Sequence, residues 1–126
     1  MAHFAELNSA NVVLRVLAVD DKHTTNSEGV EDETVGIAHL QNCLSGTWKQ
    51  TSYNGNMRGN YAGKGYTYFA DQDLFMSPKP YNSWSMSTAD ATWIAPSAMP
   101  TDGGMYNWDE DNQTWIDISG SSAGGV

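Results

Sequence analysis

Three histidines, His3, His23 and His39, and one cysteine, Cys43, are the residues of this 126-residue chain best suited to holding a metal or supplying a nucleophile. No two of the histidines share the His-x-x-x-His spacing that sets both rings on one helical face, and a thiolate zinc site needs more than Cys43. His23 falls in an acidic stretch and is expected to be solvated; His39 is expected on the exposed side of a helix. Nucleophilic catalysis requires a nucleophile, a base and an orienting carboxylate in contact. The chain has no Gly-x-Ser-x-Gly, and Cys43 lies on the apolar side of a helical pattern, where a thiol acts as a small hydrophobe. Gly55-Asn56-Met57-Arg58-Gly59 and Gly63-Lys64-Gly65 lack the spacing of a phosphate-binding loop, so their glycines are assigned to turns.

Oxygen ligands for calcium occur together in Asp109-Glu110-Asp111-Asn112-Gln113. No glycine follows at the sixth position and no glutamate closes the loop, so the run reads as a solvated hairpin turn. Glu31-Asp32-Glu33 reads as the start of a helix, where the dipole favours acids. These residues predict a non-enzymatic protein with no cofactor and no metal. The remaining chemistry is that of aromatic rings. Tyr81, Trp84, Trp93, Tyr106, Trp108 and Trp115 are the candidate partner-binding residues, since large rings concentrate where protein surfaces meet. Trp84, Trp93, Trp108 and Trp115, with Asn and Asp near them, would also suit stacking on a sugar.

The elements that must position those rings follow from composition and pattern. A chain of 126 residues suits one compact fold burying roughly two-thirds of its unfolded surface. Fifteen acidic against six basic side chains give a net charge of -9, which repels a phosphate backbone and argues against nucleic acid as a partner. With Cys43 alone no internal disulfide forms, which suits folding in a reducing cytoplasm. The first residues lack the basic segment and apolar run of an export signal, and no apolar stretch is long enough for a membrane span.

The expected fold class is mainly β (α+β): an antiparallel sheet of hairpins with one short amphipathic helix, followed by C-terminal aromatic hairpin repeats. Phe4-Ala5-Glu6-Leu7 and Val12 to Val19 flank four turn-forming residues and predict a hairpin. The second run is apolar on both faces and is expected at the centre of its sheet. Residues 20 to 34 read as a polar surface loop carrying six acids. Val35, Ile37, Leu40 and Leu44 recur at helical spacing, with Thr34 as N-cap and Gly46 as stop, laying Ile37, Leu40, Cys43 and Leu44 on the sheet. Trp48 to Tyr53 predicts a strand, Asn54-Gly55-Asn56 a tight turn, and Asn60 to Tyr68 a glycine-interrupted return strand.

In the last sixty residues an aromatic is three times followed, seven to nine residues on, by another: Tyr66-Thr67-Tyr68 to Phe75, Trp84 to Trp93, and Trp108 to Trp115. Polar turn formers lie between, so each unit predicts a hairpin with two rings opposed across its strands. Pro78, Pro80, Pro96 and Pro100 separate the units. The expected organisation is an α+β part over 1–70, hairpin repeats over 71–119, and a flexible tail over 120–126.

Several word-like segments follow in order along nearly the whole chain: Met1-Ala2-His3-Phe4-Ala5-Glu6-Leu7 with Val13-Leu14-Arg15-Val16, Gly46-Thr47-Trp48-Lys49-Gln50-Thr51-Ser52-Tyr53, Asn60-Tyr61-Ala62-Gly63 with Gly65-Tyr66-Thr67-Tyr68, Pro78-Lys79-Pro80-Tyr81 with Ser83-Trp84, and Met105-Tyr106-Asn107-Trp108. Together they resemble a family of small proteins of tailed phages of marine bacteria, cyanophages above all. The segment Ser83 to Ala91 and the Gly-rich tail depart from that pattern. The resemblance implies a virion structural protein, assembled in the host cytoplasm, whose partners are the major capsid protein, other virion proteins or further copies of itself. Decoration or cementing of the capsid surface is the role it favours, since many repeated modest contacts retain such a protein. A tail, neck or fibre component that binds carbohydrate is the alternative, and a non-virion inhibitor of a host protein is a second.

Overall fold

The alternation around Phe4 and the apolar run after Val12 form the expected hairpin, strands β1 (Ala2–Leu7) and β2 (Val13–Val19). The computed structural model describes residues 1–118, and the expected tail over 120–126 lies outside them. A short 3-10 turn (Asp21–His23), helix α1 (Glu33–Leu44) and strand β3 (Thr47–Thr51) follow. Then come three hairpins, β4 (Thr67–Phe69) with β5 (Leu74–Met76), β6 (Ser85–Ser87) with β7 (Thr92–Ile94), and β8 (Tyr106–Asp109) with β9 (Thr114–Asp117). The protein is mainly β, with antiparallel hairpins and α1 as the α-helix among the described residues. It divides into two compact units, one of Met1–Pro78 with Thr88–Ala91, the other of Lys79–Ser87 and the residues from Thr92 on.

In the first unit the sheet order is β2-β1-β3, all antiparallel, so the centre is β1 and β2 is an edge. This corrects the expectation from the apolar run after Val12. Leu14, inside that run, is 46% exposed, while the neighbours Phe4 and Ala5 of β1 are both fully buried. Successive strand residues point to opposite faces, so β1 is covered on both sides. On one side Phe4 joins Ala2, Val19, Leu40 and Trp48; on the other Ala5 joins Leu7, Val13, Ala62, Tyr68 and Phe75. The free edge of β2 is itself partly closed, because Val13 N–H donates to Tyr66 O and Gly65 N–H to Val13 O.

Three further details depart from the sequence reading. Asp32, rather than Thr34, caps α1: its carboxylate accepts the Thr34 N–H at 2.9 Å, and its backbone is extended as an N-cap requires. Cys43 and Leu44 are exposed at the end of α1, and the residues buried along it are Gly36 and Leu40. Finally, the strand Thr47–Thr51 pairs with β1 and not with a return strand from 60–68; the end of that segment belongs to β4 (Thr67–Phe69), which pairs forward with β5. The positive φ of Gly55 (70°), Arg58 (53°) and Gly59 (72°) keeps the intervening chain irregular.

That irregular segment carries the polar tie of the unit. Arg58 Nη1 and Nη2 donate to Glu33 Oε2 and Oε1 at 2.7 and 3.0 Å, Nη1 donates to Gln50 O at 2.9 Å, and Nε donates to Asp73 at 2.7 Å. Glu33 also accepts the Gln50 N–H at 2.7 Å, and Tyr68 donates its hydroxyl to Asp73. One guanidinium thereby joins the start of α1, strand β3 and the β4–β5 turn with the fork geometry that Arg supplies and Lys lacks. Burial pushes the Arg58 and Glu33 equilibria towards neutrality, but their mutual hydrogen bonds and charge outweigh it. Arg58 stays cationic and the Glu33 carboxyl is held below its usual range.

Gly36 lies directly on the ring of Phe4, which has no exposed surface into which to move. In Gly36→Ala the gain in helix propensity, about 1 kcal/mol, opposes an overpacking cost of about 1–3 kcal/mol. A net loss of stability is expected in urea unfolding, and Phe4→Leu in the same chain should recover part of it. The second prediction concerns acid. A carboxyl whose folded pKa is depressed adds stability above its unfolded value, about 4.3, and that stability is lost as pH falls through the folded value. Glu33→Gln should therefore lower the urea midpoint at pH 7 by the equivalent of about 1–3 kcal/mol and flatten the decline as pH falls below the unfolded value of about 4.3.

Candidate partner-binding site

The rings of the second unit are placed by hairpin register. In β8–β9 the last paired residues, Asp109 and Thr114, enclose a four-residue turn, and its final residue, Gln113, has φ 53°. The hairpins β4–β5 and β6–β7 repeat this form, with Asp73 and Ala91 at φ 54° in the same place. A left-handed residue at the end of the turn lets the second strand return in register. The consequence is a common register in which the second pair out from the turn is Tyr68 opposite Phe75, Met86 opposite Trp93, and Trp108 opposite Trp115.

Two of the three expected ring pairs form. Tyr68 and Phe75 have centroids 5.1 Å apart, as do Trp108 and Trp115, in the tilted and edge-on geometries favoured by ring quadrupoles. The expected pair of Trp84 with Trp93 does not form, because the register sets Met86 opposite Trp93 and leaves Trp84 two residues short of that position. Trp84 precedes β6 and instead packs against Trp108 at 5.9 Å, Trp115 at 6.0 Å and Tyr81 at 5.5 Å. Tyr81, Trp84, Trp108 and Trp115 thus make one cluster. Tyr106 stands apart from it and donates its hydroxyl to Asp102 at 2.8 Å, an acceptor that raises the phenol pKa.

The residue that sequence reasoning missed is Glu110. Its carboxylate accepts Ser83 N–H at 3.0 Å, Ser83 O–H at 2.7 Å and Trp108 Nε1–H at 2.8 Å. These bonds, Ser83 foremost, hold its pKa below the usual carboxylate range. The acidic run over 109–113 is the expected turn, but Glu110 faces inward and fastens the segment before β6 onto β8. Its only sequence signal is position, two residues after Trp108 at the start of the turn. Trp115 is fixed separately, by Nε1–H donation to Ser97 O at 2.8 Å. Trp84 Nε1–H has no acceptor although it is buried.

Beside the cluster lies an open cleft of about 540 Å³ whose walls include Trp84, Trp93, Trp115, Ile94, Pro96 and Met99. Ile94 and Met99 are 48% and 49% exposed. The Lys79 ammonium sits over the Trp93 ring, 5.6 Å from its centroid. Such an apolar, ring-lined surface can take an extended segment or side chain of another protein.

The first unit brings together two groups that the sequence left apart. His23 and His39 stack at 3.9 Å with planes 7° apart, and Cys43 Sγ lies 4.0 Å from His39 Nε2. His23 is thus packed against α1 rather than free in a polar loop. Parallel rings direct their in-plane lone pairs side by side, and among the described residues no three His, Cys, Asp or Glu side chains are arranged to hold a metal ion. The second group is a cleft of about 590 Å³ whose lining includes His3, Glu31, Gln50, Tyr53, Asn54 and Asn56. Tyr53 is 70% exposed there and rests on Tyr61 at 5.3 Å.

Comparison of the chain with family models, curated proteins and solved structures gives no match. Among the described residues no helix is long and apolar enough to cross a membrane.

The two indoles of the cluster differ in one respect that stability measurements can read. Trp108→Phe removes one of the three donors to Glu110, whereas Trp84→Phe removes a donor that had no acceptor. The first should cost more than the second in chemical unfolding, although both lose similar ring area.

Proposed function

We propose that this chain is a non-enzymatic structural component of a tailed-phage particle, held on the outer capsid surface as a decoration or cement protein. The observation that carries the reading is the ring cluster of Tyr81, Trp84, Trp108 and Trp115 beside an open apolar cleft. The cluster is fastened from within by Glu110, so its rings are pre-organised, and a pre-organised apolar face loses little entropy on docking. The resemblance to small proteins of marine phages supplies the particle as the setting. A net charge of -9 keeps free copies apart before they dock.

A tail, neck or fibre component that binds carbohydrate is the second reading, and one observation favours it. Tyr53 offers a largely exposed ring within a cleft whose lining includes Asn54, Asn56, Glu31 and Gln50. Ring faces with nearby amides and carboxylates suit the alternating apolar and hydroxyl faces of a pyranose.

Copy number separates the two. Quantitative mass spectrometry of washed particles should find the chain in numbers comparable to the capsid lattice; a handful of copies would favour the tail, and absence would sink both. Ile94→Glu places a charge on the exposed rim of the apolar cleft. It should change thermal unfolding little, within about 0.5 kcal/mol, and abolish rebinding to particles that lack the chain.

A further inference from the structure

We infer that the ring-lined cleft of the second unit receives a lysine or arginine side chain from the partner's surface. The inference rests on the docking reading above and specifies the chemistry of what docks. Its starting point is the disposition of charge. Of the six basic side chains, four are engaged within the chain: Arg15 with Glu6 and over Trp48, Lys49 over Tyr68, Arg58 with Glu33 and Asp73, and Lys79 over Trp93. The second unit carries Asp102, Asp109, Glu110, Asp111 and Asp117 against the single cation Lys79 among its described residues. A partner arriving at this unit meets a negative field, which favours a basic surface and disfavours an acidic one.

The cleft itself selects the same chemistry at short range. Its walls include three indoles, Trp84, Trp93 and Trp115, and indole is the ring with the strongest attraction for a cation above its face. Trp93 already accepts the Lys79 ammonium, so an internal group shows what that ring holds. The aliphatic stem of a lysine or arginine would lie against Ile94, Pro96 and Met99, as long basic side chains do when their heads remain polar. A carboxylate in the cleft would face the same rings with the wrong sign. A neutral apolar residue would gain the stem contacts and lose the ring–cation attraction.

Lys79 then becomes an internal competitor for Trp93, and this distinguishes the proposal from a plain apolar docking face. The test titrates the full chain with Nα-acetyl-lysine N-methylamide and with its neutral isostere, Nα-acetyl-norleucine N-methylamide, following the indole N–H signals by NMR. Saturable shifts at Trp93 and Trp115 are expected with the lysine derivative. They should weaken with added salt and be about tenfold stronger than with norleucine. Lys79→Gln should tighten lysine binding several-fold. Trp93→Tyr should retain part of it, and Trp93→Leu none.

Equal binding of the two derivatives, binding of neither, or no tightening in Lys79→Gln would overturn the inference. Rebinding to stripped particles keeps this outcome separate from the docking reading. Rebinding that persists while the two derivatives behave alike sinks the cationic ligand and leaves the docking face. Lysine-selective shifts in a chain absent from washed particles sink the docking reading and leave the cleft.

Discussion

A four-residue turn that ends on a left-handed residue governs which side chains meet in the three hairpins from Thr67 on. Asp73, Ala91 and Gln113 all adopt that backbone although none is glycine, a conformation that costs a side-chain-bearing residue up to roughly 1–2 kcal/mol. The cost recurs in all three hairpins, so the ladders and ring contacts it permits outweigh it each time. Because the turn fixes the register of the two strands, it decides that Trp108 meets Trp115 and that Trp93 meets Met86. Everything about the ring cluster follows from that register, including the release of Trp84 to pack across Trp108 and Trp115.

Two-stranded hairpins of three or four residues are marginal alone, and each has found a different support. β4–β5 is held in the first unit, where Phe75 is fully buried against Ala5 and Leu7, and Asp73 is tied to Arg58. In that same unit the Asn60 amide donates to Phe75 O and to Ala91 O at 3.0 and 2.8 Å. β8–β9 is supported by its own tryptophans and by Glu110, whose carboxylate gathers three donors from Ser83 and Trp108. The half-buried carboxylate–guanidinium tie and the indole–carboxylate tie do the same work in the two units. Each directs one charged group towards several donors or acceptors, the arrangement in which a charged hydrogen bond is strongest.

The distribution of cations gives this acidic chain its surface character. Rings and carboxylates of the chain itself hold four of the six basic side chains, and the net charge of -9 sets the sign of the outward field. Three of those four sit over aromatic faces, Trp48, Tyr68 and Trp93. The same chemistry that steadies the fold is therefore offered outward where Trp84, Trp93 and Trp115 line an open cleft.

Local features of the chain determined a good deal: the β1–β2 hairpin from alternation around Phe4, helix α1 from the spacing of Ile37 and Leu40, and three hairpins from rings flanking polar turns. These are properties of periodicity and turn chemistry, which act between neighbours and so can be read from neighbours. What tertiary structure decided were the partners of each element across long separations. The central place of β1, the pairing of Thr47–Thr51 with β1, the reach of Arg58 to Glu33, the stacking of His23 on His39 and the inward turn of Glu110 all join residues brought together by packing. An apolar run such as Val12 to Val19 is compatible with a central or an edge strand. Burial settles the matter only once the covering layers exist, because the hydrophobic effect counts area removed from water and is blind to which neighbour removes it.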